Sequence, residues 1–360
     1  MKLALLNLPF DNNYGGNLQR YALMTILQRL GHDVWHINLR TLSKLPFYLK
    51  PYSYSKRIFQ KYILGKKIPI NIEAHDNLLN KQRCKETEIF YDKYINHTHE
   101  CYNIYDVVNA TKGQFDGIVV GSDQVWRKDM TRCLGVINYF LGFTKNWNIK
   151  RVAYAVSVGT SKPDYAQYDI KQLSHLFKSF DLVTVREESL LEYFKSINWV
   201  NPKASSVLDP TMLLDASDYD RLISCTETDS LTVGCIYCYV LDQNENLLSS
   251  IQKHSEAEKC DYIINDLSEC LNPVSIEQWL RNIRDAKMVV TDSYHGCVFS
   301  LIFHKQFIYT GNPRRGNNRV QSLLTMFDII NTRQIDYDTF ESKRMYCKSL
   351  SINLLKETLI

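Results

Sequence analysis

The chain has 360 residues, 45% hydrophobic and 23% charged, with a formal net charge of +4. These totals fit a globular protein long enough for two cores, and they exclude a disordered or fibrous chain. A nucleic-acid binder would concentrate its basic residues on one face, and the small net charge argues against one. No run approaches the ~20 apolar residues that a spanning helix needs. The ten cysteines are scattered, and Cys235 and Cys238 fall inside the apolar stretch "LTVGCIYCYV", where they read as small core residues. With no leader pattern ahead of them, a reduced, cytoplasmic protein is expected.

In chain order, "KLALLNL" predicts a strand, "PFDNNYGG" a turn-rich loop, and "NLQRYALMTILQRLG" a helix stopped by Gly31. "DVWHINL" follows as a second strand, completing a βαβ unit. From Val34 to Ile72 there are eight Lys or Arg and no Asp or Glu. This basic, aromatic excursion reads first as a solvated segment. Its functional reading is a peripheral contact with an anionic membrane or lipid carrier through residues 44–67.

Alternation then resumes. "FDGIVVGSDQVW", "RVAYAVSVG" and "LVTVRE" are strands with polar ends, separated by helical "DIKQLSHLFKSF" and followed by "SLLEYFKSI". The pattern loosens at "NPKASSVLDP", which is taken as the domain boundary. Beyond it strands and helices alternate again, through "CDYIIN", "SIEQWLRNIRDA", "KMVVTDS", "YHGCVFSLIFH" and "QFIYTG". The expected architecture is α/β, with two Rossmann-like doubly wound domains facing a cleft in a GT-B-like arrangement. Residues 1–203 form the first domain, 204–335 the second, and 336–360 a helical tail that packs back on the first.

Ligands of open parallel sheets sit beyond the carboxyl ends of the strands, so polar strand ends mark the candidate site. In "VVTDSYHG" a helix starting near Tyr294 would aim free N–H groups and its positive dipole end into the cleft. His295 would add a titratable proton donor, and Gly296 a close approach to the backbone. The plainer reading is that Asp292 or Ser293 caps the helix and His295 packs beside it. Arg186, ending "LVTVRE", suits a carboxylate or phosphate, or else an ion pair with Glu187 or Glu188. Asp123 in "GSDQVW" suits a sugar hydroxyl or a helix cap. "NNYGG" permits a tight turn but has neither GxGxxG nor a P-loop lysine. No metal-binding spacing stands out, and no metal is expected.

These motifs in this order resemble the polysaccharide pyruvyl transferase family over residues 1–330. The pieces are "NNYGGNLQRYAL", "FDGIVVGSDQVW", "RVAYAVSVGT", "VTVREESL", "VLDPTMLL" and "VVTDSYHGCVFSLIFHKQF". The resemblance implies a bacterial transferase that moves the enolpyruvyl unit of phosphoenolpyruvate onto sugar hydroxyls as a ketal. Such enzymes serve exopolysaccharide or capsule biosynthesis, with phosphoenolpyruvate as co-substrate and no cofactor. It further implies His295, Arg186 and Asp123 as catalytic residues. The donor would lie against Arg186, Ser293, Tyr294, His295, Gly296 and Arg319, with Arg314 or Arg315 as further cations. Asn13, Tyr14, Gly15, Gly16, Asp123 and Gln124 would hold a glycan or lipid-linked oligosaccharide acceptor. One departure stands out: Ser293 occupies a place where characterised members often carry Arg. The alternative is a GT-B glycosyltransferase using a nucleotide sugar, for which Asp266 and Glu269 are candidate ribose contacts. A third reading is a glycan-binding protein without turnover.

Overall fold

The computed structural model describes the chain except residues 161, 243–244, 267–272 and 313–316. The first half runs β1 (Lys2–Leu6), α1 (Tyr14–Arg29), β2 (Asp33–His36), α2 (Lys50–Tyr62), α3 (Ile72–Arg83), α4 (Lys85–Tyr94), α5 (Ile104–Thr111) and β3 (Gly117–Val120). It continues through α6 (Val136–Tyr139), β4 (Lys150–Val156), α7 (Gln167–Phe177), β5 (Leu182–Val185), α8 (Glu188–Ser196) and β6 (Ser205–Ser206). After a 3-10 turn over Pro210–Leu213 come α9 (Ala216–Ser224), β7 (Ile236–Val240), α10 (Glu245–Glu258), β8 (Tyr262–Asp266) and α11 (Ile276–Asp285). The last elements are β9 (Met288–Thr291), α12 (Tyr294–Ile302), β10 (Phe307–Tyr309), α13 (Asn318–Met326) and α14 (Tyr337–Leu359).

Two parallel sheets result, ordered β2-β1-β3-β4-β5-β6 and β10-β9-β7-β8. Period-2 alternation explains how each sheet is covered on both faces. Leu3 and Leu5 enter one core while Ala4 and Leu6 enter another. In the second sheet Tyr237 and Tyr239 face the first of these cores, while Ile236, Cys238 and Val240 face a third. The first core therefore runs unbroken from one sheet to the other. This is the two-domain, GT-B-like α/β architecture that the alternating pattern predicts. β6 still pairs with β5, so the first sheet extends to Ser206.

Tyr14 is a correction to the sequence reading. It is fully buried, with its hydroxyl donated to the Val274 carbonyl at 2.6 Å and its ring packed on Trp279 and Tyr239. It fastens α1 to the second domain instead of facing an acceptor. Its spacing with Leu18 and Ala22, every fourth residue, already marked the buried stripe.

The terminal helix α14 packs along residues 208–215, just beyond β6. Ser351 Oγ accepts the Leu208 N–H at 3.3 Å, and Arg344 Nη1 donates to the carbonyls of Met212 and Leu214 at 3.1 Å each. Lys348 Nζ adds an ion pair to Asp215 at 2.8 Å. Within the basic excursion α2 forms a helical arm, and neither it nor the following α3 contains a fully buried residue.

Candidate functional site

Four strand ends and three helix starts meet between the sheets. β5 delivers Arg186, whose guanidinium is only 4% exposed. Its Nε donates to Glu187 Oε1 at 2.9 Å, Nη1 to Asp209 Oδ2 at 3.0 Å and Nη2 to Asp123 Oδ1 at 3.3 Å. From the second domain Arg319 Nη1 reaches the same Asp123 oxygen at 3.4 Å. Both guanidiniums lie over the Tyr294 ring, at 4.5 and 5.6 Å from its centroid, within cation–π range.

Two arginines thus face three carboxylates in a site shielded from water. Of the two readings of Arg186, the ion pair with Glu187 is present, and Asp209 and Asp123 pair with the guanidinium as well. Burial lowers the Arg186 pKa, but the carboxylates of Glu187, Asp123 and Asp209 and the Tyr294 hydroxyl outweigh it and leave the group firmly charged. Burial alone would raise Asp123. Arg186 and Arg319 reverse that and hold its carboxyl below the usual range.

Asp123 sits where β3 turns over. It adopts a left-handed backbone at φ 71°, stabilised where its carbonyl accepts the Ser157 N–H at 2.9 Å. The turn presents the carboxylate to both arginines. Gln124 beside it does not extend into the cleft as an acceptor ligand would, because its carbonyl accepts Arg127 Nη1 at 2.8 Å and packs under Gly159.

Asp209 is the residue the sequence reading missed. It follows β6, is fully buried, and accepts Gln19 Nε2 at 2.6 Å, the Thr211 N–H at 3.0 Å and the Thr211 hydroxyl at 2.7 Å. Its Oδ2 also lies 3.9 Å from His295 Nε2, beyond hydrogen-bond reach. Among the described residues His295 Nε2 is buried without a hydrogen-bond partner. Burial pulls the His295 pKa down to about 4, against the opposing pull of Asp209 and Asp123. At neutral pH the imidazole is therefore uncharged. In that form one ring nitrogen can accept a proton while the other carries one.

The start of α12 is built by Ser293, whose Oγ accepts the Gly296 N–H at 3.4 Å as an N-cap. Asp292 takes no part in the cap. It accepts the Leu241 and Asp242 N–H groups and the Asn312 amide, bracing the end of β7. Gly296 makes room for Thr291, not for a ligand: an added Cβ would lie 2.3 Å from Thr291 Oγ1. Gly15 has the corresponding role across the cleft. Its Cβ would lie 2.0 Å from His295 Nδ1, so the first turns of α1 and α12 touch through a missing side chain. At α1 the Asn13 side chain accepts the Gly16 N–H at 3.2 Å. Asn13 and Gly16 line a small pocket with Asn7, Asp11, Gln19 and Asp123.

Arg314, Arg315 and Glu269 lie outside the described residues, as does the side chain of Asp266. Among the described residues no group of three His, Cys, Asp or Glu is arranged to hold a metal, and no helix is long and apolar enough to cross a membrane. Beside the cluster, Arg186, Val207, Ser322, Met326 and Leu350 line a cavity of about 500 Å³.

Comparison with known proteins adds the family. No curated protein sequence matches the chain. Among solved structures it is similar to the UDP-GlcNAc 2-epimerase of Neisseria meningitidis bound to UDP-GlcNAc, at 10% identity over 100% of this chain and 99% of that one, TM-score 0.45. It is also similar to the UDP-N-acetylglucosamine 2-epimerase of Rickettsia bellii, at 10% identity over 99% of this chain and 96% of that one, TM-score 0.46. A third likeness is to a spinosyn rhamnosyltransferase, at 11% identity over 100% of this chain and 96% of that one, TM-score 0.41. The polysaccharide pyruvyl transferase profile matches residues 13–313, which include the Gly15–His295 contact and the buried ion cluster apart from Arg319. The chain belongs to this family of transferase enzymes.

Proposed function

We propose that the enzyme transfers the enolpyruvyl unit of phosphoenolpyruvate to two hydroxyls of one sugar in a surface-polysaccharide precursor, forming a cyclic ketal. The observation that carries this reading is the neutral His295 beside Asp209, at a water-poor junction of two arginines and two helix N-termini. An uncharged imidazole takes the proton of an attacking hydroxyl, and the charge it then carries is stabilised by Asp209. The proton is passed to the methylene carbon of the donor, which becomes a methyl group. The sugar oxygen bonds the ketal carbon, and phosphate leaves. The second hydroxyl closes the ring, and its proton departs with the phosphate. Two hydroxyl protons are thereby accounted for.

The first turns of α1 and α12 supply N–H groups for an anion, and Arg186 and Arg319 supply charge. Since those arginines already hold carboxylates, the donor binds by exchanging places with one of them, and Asp123 bridges both. Ser293 in place of the family's frequent Arg fits this arrangement, because the anion relies on the helix start that Ser293 caps. The acceptor enters on the α1 side, along Asn7, Asn13 and Asp123. We place the reaction in the cytoplasm, where the donor is made.

The test is to incubate the protein with phosphoenolpyruvate and a bacterial glycan-precursor fraction. Phosphate release and the mass gain of one pyruvate ketal are followed, beside a His295→Asn variant. Acceptor-dependent phosphate release that the variant lacks is expected. Consumption of a nucleotide sugar with no phosphate release would overturn the assignment.

A further inference from the structure

We propose that the helical arm of residues 44–67 is a docking surface for the anionic headgroups of a lipid bilayer. The arm leaves the first domain after β2 and carries its apolar side chains outward. Phe47 is 86% exposed, Tyr52 70%, Phe59 54% and Tyr62 69%. Tyr52, Phe59, Tyr62 and Ile63 are spaced seven, three and one residues apart, which puts them on one face of the helix. On the other side Ser53, Tyr54, Arg57 and Gln60 are half-buried, and Lys50 and Lys61, which share that side, stay exposed. A globular protein leaves so continuous an aromatic face in water only where something covers it.

The charges select what covers it. The one arginine of this stretch and the one just ahead of it are used to fasten it: Arg57 grips Glu73 of α3 with both nitrogens at 2.7 Å, and Arg40 grips Glu88 of α4 at 2.7 and 2.8 Å. The lysines are not used in this way. Among the described residues Lys44, Lys50, Lys56, Lys61, Lys66 and Lys67 are exposed and form no ion pair. Lys50 and Lys61 instead lie beside the rings of Phe47 and Tyr62, at 6.0 and 5.8 Å. Ammonium groups interleaved with outward aromatic rings, on a helix without a buried residue, match an interface of anionic headgroups over hydrocarbon. A protein partner would need carboxylates spaced to meet each lysine, whereas a fluid anionic surface meets them without fixed spacing.

At the foot of the arm, where Arg40, Thr41 and Leu42 lead into it, a groove of about 810 Å³ is lined also by Phe10, Leu78, Glu88 and Tyr102. Phe10 belongs to the loop whose neighbours Pro9 and Asp11 line the small pocket at Asp123. A bilayer held by the arm would present membrane-anchored material to the acceptor side of the reaction cleft.

The experiment is co-sedimentation with phosphatidylcholine vesicles containing about 30 mol% phosphatidylglycerol, and with pure phosphatidylcholine, from ~25 to ~500 mM NaCl. Wild-type protein is expected to bind only the anionic vesicles and to leave them as salt rises. Each lysine near such a surface contributes roughly fivefold, so replacing Lys50, Lys56, Lys61, Lys66 and Lys67 by Gln is expected to cut binding at least a hundredfold. Tyr52→Ser with Phe59→Ser and Tyr62→Ser is expected to weaken binding to the anionic vesicles at low salt. Nothing on the arm is fully buried, so both variants should melt with the wild type. Equal binding to neutral vesicles, wild-type binding by the lysine variant, or a dimer in solution that the aromatic variant dissolves would each overturn the proposal. The result is independent of the donor, since vesicle binding is read without turnover.

Discussion

Replacing His295 with Gln tests the electrostatics of the cleft directly. The folded chain holds this imidazole near pKa 4 against an ordinary value of 6.5, so the unfolded chain binds its proton first as pH falls. The neutral form is the one the fold favours. Its contribution is complete above pH 6.5 and is lost as pH falls from 6.5 to about 4. At 1.36 kcal/mol per pKa unit the loss is about 3 kcal/mol. Urea midpoints collected across that window should therefore fall more steeply for the wild type than for His295→Gln. His36, also buried and pushed down by burial, titrates alike in both proteins and cancels in the difference. The imidazole Cε1 proton, assigned by its absence in the variant, gives the pKa itself by NMR. Parallel stability slopes, or a resonance titrating at 6.5 or above, would refute the reasoning and show a hydrated cleft with a histidine available as an acid.

Gly15→Ala should force α1 and α12 apart at their first turns, because its Cβ would meet the His295 ring at 2.0 Å. A loss of roughly a hundredfold in turnover is expected, with destabilisation of about 1–3 kcal/mol. Gly16→Ala, whose Cβ meets nothing nearer than 3.5 Å, should leave the melting temperature unchanged. Arg344→Met should cost about 3 kcal/mol by denaturant midpoint, because it strips the buried carbonyls of Met212 and Leu214 of their donor and leaves Asp215 with Lys348 alone.

The strand ends were readable because a short apolar run that stops in Asp, Arg or His is costly unless those groups meet one another, and in parallel sheets they meet on one edge. Arg186, Asp123 and His295 were found in this way. Asp209 was not, although its motif "VLDP" was noticed, because it follows a strand of only two residues and has no periodicity to place it. Gln19 could have been suspected: it is a polar side chain on the buried side of an apolar helix. Tyr14 lies in a glycine-rich motif that suggests a ligand contact, but its helical spacing with Leu18 and Ala22 puts it on the buried stripe. Helices α2 to α5 were not assigned, since two of them bury nothing and so leave no apolar stripe in the sequence.

The return of α14 along residues 208–215 also has a mechanical consequence. The chain passes between domains twice, and the two passages are clasped together by Ser351, Arg344 and Lys348. Such a double strap acts as the spine of a book. The polar contacts between the two passages resist sliding of one along the other. Asp209 lies on the spine itself and would keep its place through any opening, while Gly15 and His295 sit on facing pages. The spine thus fixes the carboxylate, while the contact between Gly15 and His295 sets the imidazole 3.9 Å from it.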